Sequence, residues 1–151
     1  MIRRPPGQAR RWDVTHPWVE VFLDGASRGN PGPAGLGVVF RQEDGPVLLT
    51  MKEYLGEVTN NVAEYRALLA ALAEAARRGL KRLRIHTDSQ LMQRQLVGVY
   101  RVRQPHLRRL HEEALRGLTF LEQYEILHVP RELNKEADGL ANQAIEEHFR
   151  Q

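Results

Sequence analysis

The sequence predicts a single α/β domain, and three observations carry that reading. The chain has 151 residues, the size of one ordinary domain. Three segments with strand-like alternation come before any helical pattern. Strand and helix signals then take turns to the C-terminus, so the element order is βββαβααβα.

The first strand begins near Trp18. In the run Trp18 to Asp24, Val19, Val21 and Leu23 share one face by period two, while Phe22 and Asp24 share the other. A Gly/Pro/Asn-rich loop is expected over 25–35. Two more extended segments, 36–42 and 47–54, flank Asp44-Gly45, a hairpin signal, so the first three strands read as an antiparallel meander. The period then changes. Tyr65, Leu68, Leu69, Leu72 and Ala76 recur at helical spacing within 61–78, and Gly79 stops the helix. A short strand over 83–87 leads into a helix over 89–97, and Pro105 opens another that runs to about residue 116. The last strand, 121–129, is stopped by Pro130. The closing helix, 134–149, places Ala137, Leu140, Ala141, Ala144 and Ile145 on one stripe. A strand–helix–strand crossover is right-handed and returns parallel to its neighbour. If the fourth strand lies beside the first, a switch point opens between them, where open α/β sheets bind ligands.

Composition removes several classes of function. A hydrophobic fraction of 42% and a charged fraction of 27% are close to globular averages and argue against wholesale disorder. With no cysteine, there is no disulfide, thiolate metal site or thiol nucleophile. The apolar runs are too short to span a bilayer, so no membrane association is expected. Residues 1–17 contain Arg3, Arg4, Arg10 and Arg11 but no apolar stretch of the secretory kind, and Pro5 and Pro6 interrupt them. They read as a flexible basic N-terminal tail of a cytoplasmic protein, with the domain proper at 18–149. A net charge of +3 is compatible with a nucleic-acid partner without establishing one. Nothing calls for an obligate protein partner, so a monomer is expected.

Four carboxylates stand at element ends. Asp24 ends the first strand and Asp88 the fourth, so in parallel neighbours both emerge at one sheet edge. Glu64 lies near the start of the first long helix and Asp138 in the first turn of the last. Such a set suits a divalent cation, because Mg²⁺ prefers hard oxygen ligands. Left bare, the like charges would raise one another's pKa. Each residue also has a purely structural reading. Asp24 can form a turn before Gly25, and Glu64 can close an Asn61-x-x-Glu64 capping box. Asp88 can cap the helix at Ser89, and Asp138 can favour a helix dipole.

The words around these residues point to one family. The run Asp24 to Gly35 (DGASRGNPGPAG) resembles the first-strand motif of type 1 ribonuclease H, and Thr59 to Leu68 (TNNVAEYRAL) resembles its first-helix motif. His86-Thr-Asp88-Ser-Gln90 matches the fourth-strand motif, and Val129 to Asn142 (VPRELNKEADGLAN) the last-helix motif. All four occur in the family's order. The resemblance implies a ribonuclease H-like fold: a mixed five-stranded sheet, three antiparallel strands then two parallel, with helices on both faces. It implies hydrolysis of the RNA strand of an RNA–DNA hybrid with two Mg²⁺ ions, Mn²⁺ being a possible substitute. Asp24, Glu64, Asp88 and Asp138 would be the catalytic metal ligands, and the products would carry 5′-phosphate and 3′-hydroxyl ends. The same resemblance places Asn30, Asn61 and Gln90 in the minor groove of the hybrid, where amides read 2′-hydroxyls. Gly25 would permit close approach of the strand. Thr59 is a candidate contact to a phosphate of the DNA strand, or simply the start of the helix.

Two departures stand out. Many members carry a Trp- and Lys-rich basic protrusion after the helix that follows Asp88. Here 100–109 is short, with Arg101, Arg103, Arg108 and Arg109, and leads straight into a helix. Many also carry a loop with a catalytic His before the last helix. Here Val129 to Asn134 is too short for it and has no His, as in the archaeal-like branch, and Arg131 is the candidate contact to the scissile phosphate. Rival readings are a catalytically silent hybrid-binding module, which predicts a damaged carboxylate set, and another nuclease on the same fold. A proofreading exonuclease would place Glu two residues after the first Asp, where Ala26 stands.

Overall fold

The computed structural model describes residues 18–150, so the N-terminal tail expected over 1–17 lies outside the described residues. The strands are β1 (Val19–Ser27), β2 (Gly32–Gln42), β3 (Val47–Val58), β4 (Arg82–Thr87) and β5 (Gln123–His128). The helices are α1 (Asn60–Arg77), α2 (Gln90–Leu96), α3 (Pro105–Leu118) and α4 (Lys135–Phe149), with one 3-10 turn at Arg131–Leu133 before α4. The expected element order therefore holds throughout.

The five strands form one mixed sheet in the order β3-β2-β1-β4-β5. β1 pairs antiparallel with β2, and β2 with β3, while β4 lies parallel to both β1 and β5. Leu23 stands opposite Thr87 across the parallel ladder, so Asp24 and Asp88, one residue further on, leave the sheet at the same edge. This is the switch point expected from the strand order.

Alternation decides which side of the sheet each residue serves. Val19, Val21, Leu23, Leu36, Val38, Phe40, Leu83 and Ile85 are all buried on one face. There they meet Tyr65, Leu68 and Leu72 of α1 and Leu107, Ala114 and Leu118 of α3 in the main core. Each such side chain contributes roughly 1.5–3 kcal/mol by leaving water. α4 covers the opposite face over β1, β2 and β3. Its stripe of Ala137, Ala141, Ala144 and Ile145 is buried.

The boundaries differ most from expectation at two places, the β1–β2 connection and the end of β3. The segment read as a loop over 25–35 is mostly strand, since β1 runs to Ser27 and β2 starts at Gly32. Only the four residues 28–31 make the connection between them. β3 likewise runs past Tyr54 to Val58, because a bulge absorbs one residue: Ala34 faces Gly56 and Gly35 faces Tyr54. Gly56 there has φ +79°, a left-handed conformation that glycine adopts freely.

Candidate active site

The carboxylates are brought together by local structures that leave them free. Thr59, not Asn61, caps α1: its Oγ1 accepts from Val62 N at 3.3 Å. The Asn61-x-x-Glu64 capping box therefore does not form. Ser89 caps α2 through its Oγ, which accepts from Met92 N at 3.1 Å, so Asp88 is not the cap. Asp24 lies within β1 and not in a turn. The structural readings of Asp24, Glu64 and Asp88 thus do not hold, whereas Asp138 does stand in the first turn of α4, where a carboxylate favours the helix dipole.

Asp24, Glu64 and Asp88 each offer a carboxylate oxygen, and the three lie within 4.8 Å of one another. Asp138, in the first turn of α4, lines the same cleft, and its charge adds to the rise of the Asp24 carboxyl. Glu64 is held from the strand side. Gly25 N donates to Glu64 Oε1 at 2.8 Å, a contact that requires α1 to lie against the β1 backbone. A Cβ on Gly25 would sit 2.2 Å from Ala63 C, so only glycine permits that approach.

The electrostatics follow from burial. Asp24 and Glu64 are each only 4% exposed. The carboxyl of Asp24 is raised well above the ordinary carboxylate range, first by burial and then by the charges of Glu64 and Asp88. Glu64 is raised as well, chiefly by burial, and the Gly25 N–H opposes the rise. The donor set is all oxygen, buried and mutually repulsive, which fits a hard divalent cation such as Mg²⁺ or Mn²⁺. A cation there would relieve both the repulsion and the desolvation.

The acids open onto a cleft of about 620 Å³. Gly25 and Arg131 line it with them, as do Asn60, Ser89, His128 and Asn142. The remaining candidates stand apart from its walls. Asn30 lies in the β1–β2 connection, and its Oδ1 accepts from Asn60 N at 3.0 Å, tying that connection to the start of α1. Thr59 and Asn61 stand at the same helix start, and Gln90 is the exposed first residue of α2. After β5 the chain passes through the single 3-10 turn into α4, without a longer loop. Between α2 and α3 only residues 97–104 intervene, in agreement with the missing protrusion.

Two asparagines escaped the sequence reading. Asn142 Nδ2 donates to the Asp138 carbonyl at 3.0 Å and lies 3.4 Å from Asp138 Oδ1. Asn134 Nδ2 lies 2.9 Å from the Leu23 carbonyl and 3.4 Å from Asp88 Oδ2. The available signal was their spacing, four residues on either side of Asp138, which puts all three on one helical face.

Comparison with known proteins agrees with this geometry. The reverse transcriptase-like family model matches residues 22–144. Ribonuclease HI of Halobacterium salinarum is 44% identical over 129 residues, which are 85% of this chain and 65% of that protein. A bifunctional protein of Mycobacterium tuberculosis is 40% identical over 129 residues, 85% of this chain but 35% of its own length. The chain thus spans about two thirds of one relative and about a third of the other. Among solved structures, RNase H1 of Halobacterium salinarum matches with a TM-score of 0.84, covering 86% of this chain and 98% of that one. LC11-RNase H1 in complex with an RNA/DNA hybrid is 38% identical and matches with a TM-score of 0.83, covering 87% and 99%. The chain belongs to the reverse transcriptase-like family, and within it to the type 1 ribonucleases H.

Proposed function

We propose that the protein is an endonuclease that hydrolyses the RNA strand of RNA–DNA hybrids, leaving 5′-phosphate and 3′-hydroxyl ends. The observation that carries this reading is the convergence of Asp24, Glu64 and Asp88 within 4.8 Å, with Asp138 on the wall of the same cleft. These four residues would hold two divalent cations, Mg²⁺ or Mn²⁺. When bound, such ions supply a water of lowered pKa and stabilise charge on the departing oxygen. The chain's own groups do the rest. The Gly25 N–H orients Glu64, and the absent Cβ of Gly25 admits the α1 backbone and not the substrate strand, whose approach is left to the cleft that Gly25 lines. Arg131, on the cleft wall, is the cation available to a scissile phosphate, and a guanidinium suits that geometry. Asn30, Asn61 and Gln90 are the amides assigned to the minor groove, and Thr59 to a phosphate of the DNA strand. The solved complex of a 38% identical relative with an RNA/DNA hybrid supports this choice of substrate. We assign the catalytic unit to 18–149, acting as a monomer in the cytoplasm.

The test uses an end-labelled RNA–DNA hybrid with Mg²⁺, with Mn²⁺ and with EDTA, and Asp88→Asn alongside the natural protein. RNA cleavage that requires metal and falls at least ~100-fold in the variant is expected, since one ligand charge is lost. Equal cleavage by both proteins would overturn the ligand assignment, and hybrid binding without cleavage would leave a binding module in its place.

A further inference from the structure

Three of the four carboxylate-bearing elements meet at one residue that carries no charge, two through its side chain and one through its backbone carbonyl. Asn134 is 1% exposed, one of the few buried polar residues described. It stands between the 3-10 turn and α4. Its Nδ2 lies 2.9 Å from the carbonyl oxygen of Leu23, the residue before Asp24, and 3.4 Å from Asp88 Oδ2. Its own carbonyl accepts from Asp138 N at 3.1 Å. One residue therefore ties the end of β1, the end of β4 and the first turn of α4 together.

The chemistry of these contacts is directional. Both side-chain neighbours are acceptors, so the amide nitrogen and not its oxygen must face them. Asn134 Oδ1 is buried with no partner. The polar anchoring of the side chain runs through the nitrogen alone, and an amide is retained although its oxygen gains nothing. A leucine of similar volume would fill the same space and remove the orphaned Oδ1, but it would also take the donor from the buried Leu23 carbonyl and from Asp88.

We propose that Asn134 is a positioning residue. By donating to Asp88 and to the β1 backbone next to Asp24, it sets the spacing of the two carboxylates on which cation binding depends. The inference rests on the metal-dependent reading of the site given above. The second donor of the amide matters here: one hydrogen fixes the residue to the sheet, and the other restrains the carboxylate of a neighbouring strand. Partners of metal ligands in other proteins alter metal affinity by about 10–100-fold when removed.

The experiment compares the full chain with Asn134→Leu and Asn134→Ala. Mn²⁺ binding is followed by titration calorimetry, folding by circular dichroism, and hybrid cleavage by kcat and KM across a range of metal concentration. Both variants are expected to raise the Mn²⁺ midpoint by about 10–100-fold. At fixed metal kcat falls, KM for the hybrid stays near the natural value, and added metal restores part of the rate. Asn134→Leu gives up the donor to the buried Leu23 carbonyl, so it is expected to melt a few degrees lower yet stay folded at the assay temperature, and metal binding is compared on the folded protein. An unmoved Mn²⁺ midpoint in folded variants overturns the proposal. So does a loss of activity that only tracks the unfolded fraction, and Asn134→Ala keeps the test open if the leucine variant does not fold. Should the natural protein bind Mn²⁺ but cleave no hybrid while the variants bind it more weakly, the nuclease reading falls and the positioning role stands.

Discussion

Asp24 occupies a position that favours function over stability. Burial, Glu64 and Asp88 all disfavour its charged form, so in the metal-free protein it binds its proton more tightly than in the unfolded chain. Glu64 shifts in the same direction. The native state then holds protons that the unfolded state has released. The stability these two carboxyls contribute is complete below about pH 4, and it drains away as pH rises through their raised values. Asp24→Asn removes the larger part of that slope. With EDTA present, the variant is expected to melt about 2–8 °C above the natural protein near neutral pH, from a gain of about 1–2 kcal/mol. Its melting temperature should also fall less between about pH 6 and about pH 9. Parallel melting curves for the two proteins over that range would show that the site carries no such strain. The carboxylates themselves were legible in the sequence, because each sits at an element end within a recognisable run. Asn134 was not, since its meaning lies in a contact with Leu23, 111 residues away.

At the scale of elements, α4 decides where Asp138 sits, and glycines in the sheet decide where α4 sits. A Cβ on Gly37 would lie 2.2 Å from Ala137 O and 2.8 Å from Ala141 N, and one on Gly35 would lie 2.4 Å from Ala141 O. Three ion pairs also join the helix to the sheet side: Arg28–Glu146, Arg41–Glu136 and Lys52–Glu147. They are solvent-exposed, and such pairs are typically worth ~0–1 kcal/mol. Close backbone packing is the stronger constraint. Gly37→Ala is expected to push α4 outward by about 1 Å, to cost about 1–3 kcal/mol, and to lower kcat by up to ~100-fold through Asp138. Gly139→Ala, where a Cβ meets nothing within 4 Å, should instead raise the melting temperature, because alanine favours a helix. Similar melting temperatures for both variants would remove the glycines from this role. Gly35 also bears on the segment 25–35, which the sequence predicts as a loop and the structure makes largely strand. A run of Gly, Pro and Asn has the composition of a loop, but Gly35 and Gly37 are there to admit a helix, which no local pattern discloses.

The whole molecule separates its catalytic charge from its attractive charge. The strand order β3-β2-β1-β4-β5 gathers the acids at one edge, and it meets the condition the sequence left open, that the fourth strand lies beside the first. What the order does not supply is a net pull on a polyanion. Four of the 22 basic residues and one of the 19 acidic ones lie in residues 1–17, so residues 18–151 hold 18 of each sign. The entire net charge of +3 therefore belongs to the first 17 residues. Residues 18–151 have no excess charge to draw in a hybrid, and no basic protrusion follows α2. An acidic cleft further disfavours a phosphate backbone until cations occupy it. Arg3, Arg4, Arg10 and Arg11 are thus the charges expected to raise affinity, through release of counterions from the hybrid. Deleting residues 1–17 should weaken hybrid binding most at low salt. It should also flatten the plot of log affinity against log salt by about 0.7–0.9 for each arginine that neutralises a phosphate. Because the tail holds none of the four carboxylates, kcat at saturating hybrid should stay close to that of the full chain. Equal salt slopes for the full and shortened chains would show that the tail does not engage the backbone. The attraction would then have to come from arginines outside the tail, such as Arg101, Arg103, Arg108 and Arg109, in spite of the balanced charge around them.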